Sequence, residues 1–267
     1  MLRRLGVTSL FVFLQFISGI SSASAPDFYT VREPVPVADI SLDPYIVFAA
    51  ATSQLVDDAL DLLSWQLHNK KMPEPAVPYN RLAQYGSWVV KQDGTCHNTR
   101  AKVLMRESEV PVIFSRNGCS VVSGKWRDPY SNQYYESASD LDIDHVVPLK
   151  NSYVSGAWKW DFQRRCLYAN FMENEFQLIP IKDEDNKKKS DSGPDRFMPR
   201  DRGYACEYLA NWLKIKLIWN LAIPRAEAEA IEKLSQDNHC ASAQMSLEVS
   251  NLRRERQSIL SNIDLCK

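Results

Sequence analysis

Between Asp140 and Leu149 the sequence reads DLDIDHVVPL, and no other stretch restricts the fold of this chain so tightly. Three carboxylates and a histidine fall within six residues, directly ahead of an apolar run that reads as a strand. Holding them together costs free energy unless a cation or a proton-transfer step uses them. A solvated acidic turn with a satisfied histidine is the plainer reading, and composition alone favours it. The downstream sequence shifts the balance. Phe176–Ile181 (FQLIPI) has the composition of a second strand, and Ile181–Asp191 reads as a short helix. Its acids Asp183, Glu184 and Asp185 come first and Lys187, Lys188 and Lys189 last, as the helix dipole prefers. Strand, strand, helix is a ββα order, and Asn186 and Lys189 share one helical face.

The rest of the chain is ordinary for a globular protein, with 267 residues, 45% of them hydrophobic and 24% charged. A core of that size folds without staples. The 32 basic and 33 acidic residues nearly cancel, so any site for a polyanion must be local. No P-loop string, dinucleotide fingerprint, zincin pair or nucleophile elbow is present.

Arg3 and Arg4, the run LGVTSLFVFLQFISGI and the small residues SSASA read as a signal peptide over 1–25, too short to span a bilayer comfortably. An exported chain with no membrane contact in its mature form is expected, secreted or periplasmic. Residues 26–78 read as an N-terminal extension holding one helix, over 44–68, and a proline-containing linker; the partner of that helix is unknown from sequence. In an oxidising compartment Cys96, Cys119, Cys166, Cys206, Cys240 and Cys266 favour three disulfides, with fifteen pairings open. A zinc site from Cys166, Cys206, His239 and Cys240 is the rival, without a C-x-x-C spacing to support it.

From residue 79 onward the pattern is α+β. Trp88–Lys91, Val110–Phe114, Ser120–Trp126 and Gln133–Ser137 have strand composition, the last two flanking the turn string RDPYSN, and TRAKVLMRES reads as a helix. Tyr204–Leu221, Arg225–Gln236 and Ser242–Leu265 read as a C-terminal helical layer.

These residues resemble the secreted bacterial HNH-type endonucleases, a family with a ββα-metal (His-Me finger) site. The likeness covers roughly 79–240. It is carried by CHNTRAKVL (Cys96–Leu104), SGKWRDPYS (Ser123–Ser131), SDLDIDHVVPLKN (Ser139–Asn151), SGAWKW (Ser155–Trp160), YAN (Tyr168–Asn170), the helix of Asn186, and Cys206 and Cys240. The resemblance implies an α+β fold with a ββα-metal core, small antiparallel β segments and a C-terminal helical layer. It divides the chain into a signal peptide, the extension, a nuclease domain over 79–240 and a C-terminal helix over 241–267.

It also implies a function: metal-dependent hydrolysis of phosphodiester bonds in DNA or RNA, with little sequence preference. His145 would be the general base, and Asp144 and Asn186 would hold a divalent cation, Mg²⁺ or Mn²⁺, which suits oxygen ligands. Arg100, Lys150 and Lys189 would meet the phosphate backbone, while Asp142, Gln177 and Asn170 would support the site. Gln177 aligns best with the central Asn of the family name, and Asn170 and Asn174 are substitutes. Neighbours on a regular strand point to opposite faces, so Asp144 and His145 together demand a bulge or a strand end near Ile143. The alternative sets Asp142 and Asp144 on one face as ligands and leaves His145 structural. The family pattern implies Cys96–Cys119 and Cys206–Cys240, leaving Cys166 for Cys266. The competing function is a non-catalytic secreted binding protein on the same disulfide-stabilised scaffold.

Overall fold

The computed structural model describes residues 74–91, 93–245 and 249–266. The expected signal peptide, the expected helix over 44–68 and the first half of the linker, 69–73, lie outside the described residues. Local chemistry sets where the first helices start. Helix α1 (Arg81–Tyr85) begins at Asn80, whose side chain accepts from the Ala83 N–H, and stops at Gly86, where φ is 70° and a Cβ would be strained. Helix α2 (Thr99–Glu107) begins the same way at Asn98, accepting from the Ala101 N–H.

Strands β1 (Ile113–Phe114), β2 (Val121–Asp128) and β3 (Gln133–Ser137) form an antiparallel sheet in that order. The RDPYSN string makes the β2–β3 turn. Asp128 there accepts from the Tyr130 N–H and the Ser131 hydroxyl, which fastens the reversal. Trp126 is fully buried, and its indole N–H donates to the Leu104 carbonyl at 2.8 Å, fixing this sheet to α2.

A second sheet consists of β4 (Leu141–His145) and β5 (Leu178–Lys182), antiparallel, with pairing from Leu141↔Lys182 to His145↔Leu178. The connection between them holds α3 (Leu149–Val154) and α4 (Phe162–Asn170), and α5 (Asp183–Lys189) follows β5 directly. The helical layer comprises α6 (Ala205–Ile218), α7 (Arg225–Asp237), α8 (Ser242–Met245), α9 (Val249–Ser261) and a 3₁₀ turn, Ile263–Cys266. A buried pair, Lys216–Glu227 at 3.3 Å, joins α6 to α7, and the Trp212 indole donates to the same carboxylate. Among the described residues no helix is long and apolar enough to cross a membrane.

The β4–β5 ribbon separates two cores. Leu141, Ile143 and Leu178 face a cluster with Ala101, Val103, Leu104 and Trp126. Ile179 and Ile181 face the larger cluster, built around Tyr168, Tyr208, Trp212 and Trp219. The fold is thus α+β with small antiparallel sheets and a helical layer.

Three local expectations need correction. The apolar run after His145 is not a strand: Pro148 fits the start of a helix, and the chain turns into α3. Trp88–Lys91 makes only an isolated bridge, Val90 with Asn98. The stretch Ser242–Leu265 is broken into α8, α9 and the 3₁₀ turn. Of the two alternatives near Ile143, the unbroken β4–β5 pairing leaves no bulge, and the strand instead ends at His145, two residues on.

The cysteines are bonded as Cys96–Cys119, Cys166–Cys266 and Cys206–Cys240, the two pairings that the family pattern implied and the one that they left over. No described cysteine is free, which leaves no thiolate for zinc.

Candidate functional site

Alternation along β4 decides which acidic groups can meet. Leu141, Ile143 and His145 point to the α2 side, while Asp142 and Asp144 point to the side covered by α5. On that side α5 lays Asn186 over Asp142 and, one turn on, Lys189 over Asp144. The Asn186 amide N–H donates to Asp142 Oδ2 at 3.0 Å. Both residues are half-buried, and Asp142 Oδ1 and Asn186 Oδ1 have no hydrogen-bond partner among the described residues.

Asp144 is in a different condition. It is buried, and Lys189 Nζ lies 2.7 and 2.8 Å from its two oxygens while the Tyr130 hydroxyl donates to Oδ2 at 2.7 Å. Lys189 is wholly buried and also donates to the His145 carbonyl at 2.8 Å. Burial pushes the Asp144 carboxyl upward and the Lys189 ammonium downward, and their mutual contact opposes both shifts. Both Asp144 oxygens accept from Lys189 and one also from Tyr130, so a cation there would have to compete with the ammonium. The better-fitting donor set is Asp142 with Asn186, since a small hard cation keeps several waters and needs only one or two side-chain oxygens. Among the described residues no group of three His, Cys, Asp or Glu side chains gathers to hold a metal.

His145 sits across the strand. Its ring stacks on Trp88 at 5.4 Å with planes 3° apart and on Tyr168 at 6.4 Å with planes 12° apart. Nε2 is 2.9 Å from the Ala169 carbonyl oxygen. A carbonyl only accepts, so Nε2 carries the proton and Nδ1 is left as an acceptor. Burial pushes its pKa down to about 3, with Arg81 and Lys189 adding to the depression, so the ring is neutral at ordinary pH. The structure therefore brings together Asp142 with Asn186 and Asp144 with Lys189. It does not bring the His145 ring onto the Asn186 side.

The remaining expected residues are placed as follows. Arg100 donates to the carbonyls of Ala138 and Leu141, which clamps the start of β4. Lys150 is exposed and paired with Asp191 at 2.6 Å. Asn170 accepts from the Val89 N–H and the Thr99 hydroxyl, holding the segment of Trp88 against α4. Gln177 is fully buried between the Tyr168 carbonyl and the Trp219 indole, and its carbonyl accepts from the Val146 N–H just past the strand. Asn174 caps the turn ahead of β5 by accepting from the Gln177 N–H at 2.9 Å. Trp88 and Tyr130 escaped sequence reasoning. Tyr130 had a signal, its place in the turn string, but nothing in sequence pointed its hydroxyl at Asp144.

Residues 105–234, which contain β4, β5 and α5, match the model of the GmrSD restriction endonucleases, C-terminal domain. An uncharacterized secreted protein of Arthroderma benhamiae is 34% identical over 225 residues, 84% of this chain and 97% of that protein. The chain belongs to one family with this secreted fungal protein. Its domain over 105–234 is related to a nuclease family. The relative is fungal, whereas the sequence likeness had pointed to bacterial enzymes. Like that relative the protein is secreted, and three disulfides suit the oxidising exterior. No solved structure matches the chain.

Proposed function

We propose that the protein is a secreted endonuclease that hydrolyses phosphodiester bonds of DNA or RNA, with His145 as the general base. The observation that supports this most is the ring itself: Nε2–H is tied to Ala169, the planes are fixed by Trp88 and Tyr168, and Nδ1 remains an acceptor. That geometry lies within a domain related to restriction endonucleases. A base held down to about 3 is weak until a bound phosphodiester places negative charge beside it, which opposes the depression. His145 is the last residue of β4, so a phosphate would meet its Nδ1 at the strand end.

A divalent cation, Mg²⁺ or Mn²⁺, would be held by Asp142 and Asn186; once bound it would stabilise the charge that grows on the phosphoryl oxygens. Asp144 and Lys189, first expected as ligand and substrate contact, would instead brace the strand end. The nucleic acid would be held by its backbone.

The test is plasmid and RNA degradation by the mature protein with Mg²⁺ or Mn²⁺, with chelator, and with His145→Gln, which retains an amide N–H for Ala169. Chelator and substitution should each abolish cleavage, while near-ultraviolet circular dichroism of the variant stays native. Undiminished cleavage by His145→Gln would remove the assignment.

One observation favours a second reading, the non-catalytic binding protein. Asp144 is neutralised by a buried lysine and β4 is regular, so no single face collects the base and both ligands. That reading expects nucleic-acid or other ligand binding without turnover under any metal.

A further inference from the structure

Each basic residue singled out by sequence is tied up: Arg100 clamps two carbonyls, Lys189 is buried on Asp144 and Lys150 pairs with Asp191. Arg81 is different. It is exposed, and among the described residues it forms no ion pair or side-chain hydrogen bond. It lies on α1, outside the residues related to the endonuclease domain.

The packing of α1 brings the segment that carries Arg81 toward the end of β4, close enough for its charge to act on His145. Tyr85, one turn further on the same helical face, donates or accepts a 2.7 Å hydrogen bond with Ser152 of α3. Its ring lies 6.2 Å from Tyr168, the residue that stacks against His145. Three residues past α1, Trp88 stacks on the same imidazole. Tyr79, just before α1, packs on Tyr85 and on Tyr153 of α3 at 6.2 and 5.6 Å. Tyr79 feels the charges of both Arg81 and Asp191, and His145 feels that of Arg81. Three elements thus converge at the strand end: α1 with Arg81, α3 with Lys150, and the turn after α5 with Asp191.

We propose that Arg81 is the side chain that receives a phosphate of the nucleic-acid backbone beside His145, an inference that rests on the nuclease reading above. A guanidinium presents a planar fork that grips two phosphate oxygens at once. An exposed arginine with no partner bears no cost of breaking an ion pair when the phosphate arrives. It adds the cation that a nearly neutral chain must supply locally.

Binding is measured by anisotropy of fluorescein-labelled duplex and single-stranded oligonucleotides over a salt series, in the mature chain carrying His145→Gln so that nothing is cleaved. Adding Arg81→Ala should weaken binding about tenfold at ~0.1 M salt and lower the slope of log K against log salt by about one. Arg81→Lys should keep most of the slope with reduced affinity. Arg116→Ala, an exposed arginine in the β1–β2 turn, should change neither. Equal affinity and slope for the parent and Arg81→Ala would overturn the assignment and leave the nuclease reading standing. If the parent binds neither oligonucleotide and the native chain cleaves nothing, the reading beneath it falls too.

Discussion

His145 carries the sharpest consequence of burial at the scale of one residue. In the unfolded chain an imidazole titrates near 6.5, while in the fold it is pushed down to about 3. Below 6.5 the unfolded state takes up a proton that the folded state refuses, so stability present at pH 7 is lost as pH falls toward 3. Between pH 7 and 5 this group alone should cost about 2 kcal/mol. Urea unfolding of the native chain and of His145→Gln at both pH values measures it: the drop should be smaller by that amount in the variant. The same depression means that kcat/KM, which reports the free enzyme, should show no acid limb near 6.5 from this group. A limb there that disappears in no other variant would return His145 to an ordinary exposed environment.

Among elements, the junction of β4 with α5 decides the most. Lys189 reaches across from the helix to both oxygens of Asp144 and to the backbone of His145. Replacing it with Met leaves a buried carboxylate without its cation, a loss of about 3 to 5 kcal/mol. Adding Asp144→Leu should recover most of the stability, and thermal unfolding of the single and double variants tests it. An additive double variant would mean that the two side chains do not interact. The order strand, strand, helix was legible because FQLIPI and the acid-to-lysine gradient of 183–189 are local signals. Helix α3 was not, since VVPLKN reads as strand until one knows that Pro148 opens a helix. Nor was α4, where FQRRCLYAN mixes charge with apolar groups and gains its start from the Asp161 cap. At the site, spacing put Asn186 and Lys189 on one face, but the partner strand determines that this face meets Asp142 and Asp144 and excludes His145. Arg100 was visible as part of a string, yet its carbonyl partners come from 38 and 41 residues away and leave no trace in sequence.

Over the whole molecule the longest closed loop is that of Cys166–Cys266, whose cysteines are 100 residues apart, against 23 for Cys96–Cys119. Loop-closure entropy predicts that removing the first with serines costs about 4 to 5 kcal/mol and the second about 3. Unfolding midpoints of the two double-serine variants should fall in that order. The long bridge also holds the last turn of the chain on α4, where the Ala169 carbonyl meets His145, and α9 adds a contact from Glu255 to Asn174. Outside the cell such a chain meets proteases. Any single backbone cut between Cys166 and Cys266 leaves both pieces covalently joined, so a nicked molecule keeps its mass until a reductant is added. Damage that would divide an uncrosslinked protein is survived here as a scar.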